Sequence, residues 1–338
     1  MIMRSKSLFI LVLLFLAISA AVLYYFLNSG ALNEPVKPPQ VISVLIASDL
    51  QLSGLDGLKA GLQELGYKLD KYIIIKLNNP KGDRNLTAQM AKDIVASKPD
   101  LIVTFSTTAA SNINDANKES KIPVVFVDVG NFKQLGITDI RKPGGFMTGV
   151  VVDNVPAAPK RMELLKILNP NMKTIGVLVN NKHVSYDEIL SAYEEGADKL
   201  GIKIIWYNVT TKEAVVEAMT KLIKDAPDAY MTTSEATISG NAALIAPLLK
   251  KARIPSIDFN VEVGVQSGYL MVHGVNRFDT GKQSSRIVAK VLRGENPGDI
   301  PIEFSSTLTF EINEVLAKEM NIVIPEELLL RANKVYKQ

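Results

Sequence analysis

From Val41 onward, short apolar runs rich in β-branched residues alternate with segments whose apolar positions recur at helical spacing. VISVLIAS (41–48) predicts a strand, and Leu55, Leu58, Leu62 and Leu65 then line one helical face up to a stop at Gly66. The pattern repeats as YIIIKL (72–77), a helix over 85–97, LIVTFS (101–106), a helix starting near Thr108, and VVFVDV (124–129). Strands alternating with helices of about ten to fifteen residues predict βαβ units, hence a parallel sheet with right-handed crossovers.

The pattern restarts after Gly149. Helices are expected over 161–168, 187–200 (closed by Gly201), 212–224 and 239–253. Between them lie the strands TIGVLVN (174–180), IKIIWYNV (202–209), AYMTTS (229–234), PSIDF (255–259) and YLMVHGV (269–275). Two consecutive units of similar length predict an α/β chain of two Rossmann-like, doubly wound lobes with parallel sheets joined by a multi-strand hinge. The helix at 280–292 and the segment 302–310 follow after the second unit is complete, so they are expected to return to the first lobe and cross again. The expected lobes are 41–152 plus about 276–303, and 153–275 plus about 304–338.

The stretch before Val41 reads differently. Arg4 and Lys6 precede an uncharged apolar run from Leu8 to Leu27, long enough to cross a bilayer core of ~30 Å as a helix. Small residues near Ala17 to Ala21 offer a cleavage point, but AVLYYFL carries the run beyond it and places Tyr24 and Tyr25 where interfacial aromatics sit. An uncleaved signal anchor over 1–28, with the body outside the cytoplasm, is expected; a cleaved signal would leave the body secreted or periplasmic. Residues 29–40, with SG, NEP and KPP, have the composition of a linker.

A formal charge of +3 and no basic stripe interleaved with aromatics argue against nucleic acid. Zero cysteines exclude disulfides, thiolate metal sites and cysteine nucleophiles. His183 and His273 are far apart, and no HExxH, GxSxG or strand-following GxGxxG occurs. DTGKQSS (279–285) places Gln283 where a phosphate loop needs a hydroxyl. Catalysis, a resident cofactor and a metal are therefore not expected.

Ligands of doubly wound sheets sit at the carboxyl ends of strands, near helix N-termini. Those ends carry Ser48, Asp49, Leu52, Ser53 and Gly54; Ser106, Thr107 and Thr108; and Asp128 in the first lobe. The second lobe offers Asn180, Asn181, Ser185 and Tyr186, then Ser234 and Glu235, then Asp258 and Glu262. The candidate ligand contacts are Ser48, Leu52, Ser53, Ser106, Thr107, Thr108, Asp128, Asn181, Ser185, Tyr186, Ser234, Glu235 and Asp258. Taken singly, a Ser or Thr at a helix start reads as a plain N-cap; the convergence of several such ends supports binding. Trp206, inside a strand, is expected in the core.

Several segments, in order, resemble a known family: LDGLKAGLQELGY (55–67), KPDLIVTFSTTAA (98–110), IPVVFVDV (122–129), PGGFMTGV (143–150), RMELLKILNPNMKTIGVLVN (161–180), KARIPSIDF (251–259), GVNRFDTGKQSSRIVAKVLRGENPGDIPIE (274–303) and AKEMNIVIPEELLLRA (317–332). The family is that of ABC transporter substrate-binding proteins typified by tryptophan- and tyrosine-binding import lipoproteins, on the type I periplasmic-binding-protein plan. The resemblance implies a solute-binding component that takes an amino acid or related small polar ligand between its lobes and serves permease and ATPase subunits. Its polar loops map onto Leu52-Ser53-Gly54-Leu55-Asp56, where the family's His-Pro element is missing. They map further onto Thr107-Thr108-Ala109-Ala110, His183-Val184-Ser185-Tyr186, Thr233-Ser234-Glu235 and Asp258. The family's lipid-modified cysteine is also absent. A membrane-anchored ligand-sensing receptor ectodomain is the alternative reading.

Overall fold

A computed structural model describes residues 18–19 and 39–338, except Asp153, Val184 and Gln338. The expected anchor over 1–28 and all but the end of the linker lie outside the described residues. Among the described residues no helix is long and apolar enough to cross a membrane. The chain divides into the units Met1–Pro39 and Gln40–Gln338, and the second is described below.

That unit begins with β1 (Gln40–Ile46), α1 (Leu52–Glu64), β2 (Ile73–Asn78), α2 (Arg84–Ala96), β3 (Leu101–Phe105), α3 (Thr107–Ala116), β4 (Val124–Val129) and β5 (Met147–Val151). It continues with α4 (Ala158–Leu168), β6 (Thr174–Val179), α5 (Tyr186–Leu200), β7 (Lys203–Asn208), α6 (Lys212–Asp225), β8 (Ala229–Met231), α7 (Ala236–Ser239), α8 (Ala242–Ala252), β9 (Ser256–Asp258), α9 (Gly264–Ser267) and β10 (Met271–Val275). The chain closes with α10 (Arg277–Leu292), β11 (Glu303–Phe304), β12 (Leu308–Asn313), α11 (Glu314–Glu319), α12 (Glu326–Arg331) and β13 (Lys334–Tyr336).

Two sheets result, ordered β11-β5-β4-β3-β1-β2 and β13-β12-β10-β9-β8-β6-β7. Every pairing in the first is parallel; in the second only β12 runs against its neighbour β10. The strands are apolar on both faces because helices cover both. In β1, Ile42, Val44 and Ile46 enter one core with Leu58 and Leu62 of α1 and Ile287 of α10. Leu45 points the other way, into a core with Ala91 of α2 and Ile113 of α3. β6 splits in the same manner, Ile175, Val177 and Val179 to one core and Leu178 to the other.

Three passages cross between the sheets: 152–157 after β5, Asn276 between β10 and α10, and 305–307 between β11 and β12. The helix α10 leaves the second sheet and lies along α1, an approach close enough to require Gly57, Gly61 and Gly281 at the contact. The passages are tied together. Ser305 N–H donates to the Val151 carbonyl at 2.8 Å, and Gln283 of α10 donates to the Phe304 carbonyl at 2.9 Å and accepts from Ser306 N–H at 3.1 Å.

Two local expectations change. The helix expected over 239–253 begins only at Ala242, and Gly240 and Asn241 separate it from the short α7, with the Asn241 side chain donating to the Thr237 carbonyl at 2.7 Å. Trp206 is only half-buried at the edge strand β7, its indole N–H 3.3 Å from Glu194. The segment 302–310 divides between the sheets, β11 pairing with β5 and β12 with β10.

Candidate functional site

Parallel strands end together, and the passages leave from those ends: β5 and β11 run out at the carboxyl edge of the first sheet, β10 at that of the second. The two carboxyl edges therefore face the hinge. Every candidate residue lies on one of them, in the last residues of or just after the adjacent strands β1, β3 and β4 or the adjacent strands β6, β8 and β9.

On the first edge, Ser53 lies in the first turn of α1, and its hydroxyl is buried without a hydrogen-bond partner. Leu52, half-buried, packs on the core beneath. The Ser48 hydroxyl lies 3.1 Å from Gln51 Oε1. Ser106 takes a left-handed φ of 102° so that its hydroxyl can accept the Ala109 N–H at the start of α3. Thr107 accepts the Gly130 N–H at 3.1 Å, joining the ends of β3 and β4, while Thr108 is exposed.

On the second edge, Asn181 is exposed, and its N–H donates to Asn208 at 2.9 Å. Ser185 stands at the start of α5 without capping through its hydroxyl, and Tyr186 is half-buried on the core below. Ser234 is half-buried after β8.

The protein itself engages each of the three acids offered as ligand contacts. Asp128, at a left-handed φ of 58°, accepts Arg277 Nε at 2.8 Å. Glu235, 1 % exposed, accepts the Asn180 N–H at 3.1 Å and the Thr233 hydroxyl at 3.1 Å, stapling the ends of β6 and β8. Burial raises its pKa against the pull of those donors and of His183. Asp258 accepts the Thr232 hydroxyl at 2.5 Å and is 3 % exposed. Burial lifts it to about 6, opposed by Thr232, by the N–H groups of Phe259 and Asn260, and by the charge of Arg161.

Two arginines and a histidine had no signal in the sequence beyond their residue type. Arg161, in the first turns of α4, is fully buried and donates to the Asn154 carbonyl at 2.6 Å and the His273 carbonyl at 3.3 Å, gripping two of the three passages near their roots. Arg277 opens α10 and reaches Asp128, Asn260 and Glu262. His273 is buried, its Nδ1 unpartnered; burial, then Arg161 and Lys160, lower its pKa to about 4.

The shifts of His273 and Asp258 oppose each other on acidification. Folding gains as Asp258 takes up its proton between about pH 6 and 4, and loses as His273, which would protonate near pH 6.5 when unfolded, is kept neutral. Each change amounts to about 2 kcal/mol between pH 7 and 4.5. In urea unfolding, the stability of His273→Gln relative to the parent is therefore expected to improve by about 2 kcal/mol from pH 7 to 4.5. A difference independent of pH would refute the assignment.

A family model described as ABC transporter substrate binding protein matches residues 41–336, spanning both sheets and all three passages. The chain belongs to this family. Among relatives, the tyrosine-binding protein of Clostridioides difficile (strain R20291) is 26% identical over 300 residues, covering 87% of this chain and 85% of the relative. A Streptococcus pneumonia ABC domain solved in complex with L-Trp is 28% identical, with a TM-score of 0.77 over 88% of this chain and 100% of the other. A conserved domain protein from Vibrio cholerae, 23% identical with a TM-score of 0.78, covers the same shares and shares the fold. As a substrate-binding protein, the chain presents the two-lobed plan common to these structures, with the hydroxyls of Ser53, Thr107, Thr108, Ser185 and Ser234 on the two facing edges.

Proposed function

We propose that this substrate-binding protein takes an amino acid, or a closely related small polar ligand, between its two lobes and passes it unchanged to a permease and ATPase. The supporting observation is that the family match spans both facing carboxyl edges, together with relatives named for tyrosine and solved with L-Trp. The lobes are 41–152 with about 276–303, and 153–275 with about 304–338. One lobe binds first, and closure about the passages adds the other lobe's donors. Hydroxyls and backbone N–H groups at the starts of α1, α3 and α5 suit a carboxylate, since the N-terminal end of each helix carries partial positive charge. With Asp128, Glu235 and Asp258 engaged internally, Ser53, Thr107, Thr108, Ser185 and Ser234 are the proposed direct contacts. The apolar run 8–27 would hold the body at the outer face of the membrane.

Thermal unfolding of the full chain with L-tyrosine, L-tryptophan, other amino acids and sugars tests this reading. A ligand at about 100 times its Kd stabilises the folded state by about 2.7 kcal/mol, so one amino acid is expected to raise Tm clearly. A rise with a sugar and none with any amino acid would overturn it.

A further inference from the structure

One polar connection between the lobes is built around a single side chain. Arg277 Nε donates to Asp128 Oδ2 at 2.8 Å, on the first sheet's edge. Its Nη1 donates to Glu262 Oε2 at 2.5 Å and Asn260 Oδ1 at 3.1 Å, both in the segment after β9 of the second sheet. Its backbone N–H also donates to Glu262 Oε1 at 2.8 Å, so an acid of the second lobe caps the helix that runs onto the first. The side chains of Arg277, Asp128 and Glu262 are only 14 %, 10 % and 19 % exposed, so solvent screens the pairs weakly. Burial alone would lower the Arg277 pKa, but Asp128 and Glu262 outweigh it and hold the charge on more firmly.

We propose that Arg277 is the positioning residue of the hinge, a fork that sets the angle between the lobes and so the balance of open and closed forms on which ligand capture depends. The role in capture rests on the binding reading above; the role in lobe angle does not. The argument is geometric. Asn276 is the whole passage between β10 and α10, so rotation there swings the root of Arg277 against the 260–262 segment while α10 stays packed on α1. Arg277 cannot keep both arms at hydrogen-bond distance through such a rotation. Its planar, fixed donor set serves two acids at one relative orientation, which a lysine cannot reproduce. The Asp128 arm is held in register by the left-handed backbone at that residue and by the neighbouring Val152 N–H to Val129 carbonyl bond. Charge-assisted bonds of this kind bias a two-state balance by about tenfold.

The chain has no cysteine, so Lys118→Cys in the first lobe and Lys199→Cys in the second accept spin labels at exposed positions without background. Interlobe distances are measured by pulsed dipolar spectroscopy on the full-length, detergent-solubilised protein without ligand. In Arg277→Met a second distance population is expected to rise about tenfold relative to the parent, with Arg277→Lys intermediate. Glu262→Gln, nearly isosteric, is expected to shift the distribution in the same direction and keeps the test decisive if Arg277→Met does not fold. Unchanged distributions in folded Arg277→Met or Glu262→Gln would overturn the proposal. L-tyrosine and L-tryptophan are then added as probes. If neither binds the parent, the amino-acid reading fails, while the ligand-free distances still decide the hinge.

Discussion

Gly281→Ala is expected to destabilise the protein by about 3 kcal/mol, the upper end of the usual cost of overpacking. A Cβ at 281 would fall inside the carbonyl oxygen of Gly54, with the Gly54 carbonyl carbon at 2.7 Å and Cα at 3.0 Å, all backbone atoms of α1. No rotamer change relieves a clash between two backbones. The helices must separate, and the packing of Leu55, Leu58 and Leu62 beside Ile287 and Val288 goes with them. Gly130→Ala is the control: there the nearest atom to a new Cβ is the Val152 carbonyl oxygen, at an ordinary 3.9 Å. Urea unfolding of the two variants should show a large loss for the first and a change within about 0.5 kcal/mol for the second. Equal midpoints would mean that the α1–α10 contact is looser than described.

Arg161→Met is the second large effect, expected to cost about 3 kcal/mol at pH 7. The substitution leaves the carbonyls of Asn154 and His273 buried without their donor, at about 1–3 kcal/mol each, while roughly conserving volume. It also removes the positive charge that pulls down both nearby titrating groups. Asp258 is expected to titrate above its present value of about 6, and His273 to move up from about 4. Titration of the two side chains by NMR separates this electrostatic role from simple packing. A variant that loses stability while both pKa values stay in place would show that Arg161 acts only through its hydrogen bonds.

Much of the architecture was legible along the chain because its signals are local. Ile42, Val44 and Ile46 alternate with Ser43 and Leu45, which marks a strand whatever lies around it. Gly201 ends α5 in the left-handed conformation that its lack of a Cβ permits, and the helix was read to end there. Boundaries drifted where local rules conflict, as at Gly240 and Asn241, where a break replaces helix.

The candidate site was legible in part, for the same reason. Strand ends and helix starts are local, so Ser53, Thr107, Ser185 and Ser234 fall on the facing edges. Whether a polar side chain is free for a ligand depends on residues far away in sequence. Asp128 meets Arg277 across 149 positions, and Asp258 meets Thr232 across 26. Nothing in the run VVFVDV or SIDF announces those partners.

By itself, then, the sequence determined the alternation of strands and helices, the two units, the absence of thiol chemistry and the polar strand ends, since periodicity and composition need no partner. Only the tertiary structure decided that Arg161 grips the passages, and that Arg277 joins Glu262 to Asp128, an acid that sequence alone offers to a ligand. A buried charge must find its counter-charge wherever the fold brings one, and that pairing is made in space rather than along the chain.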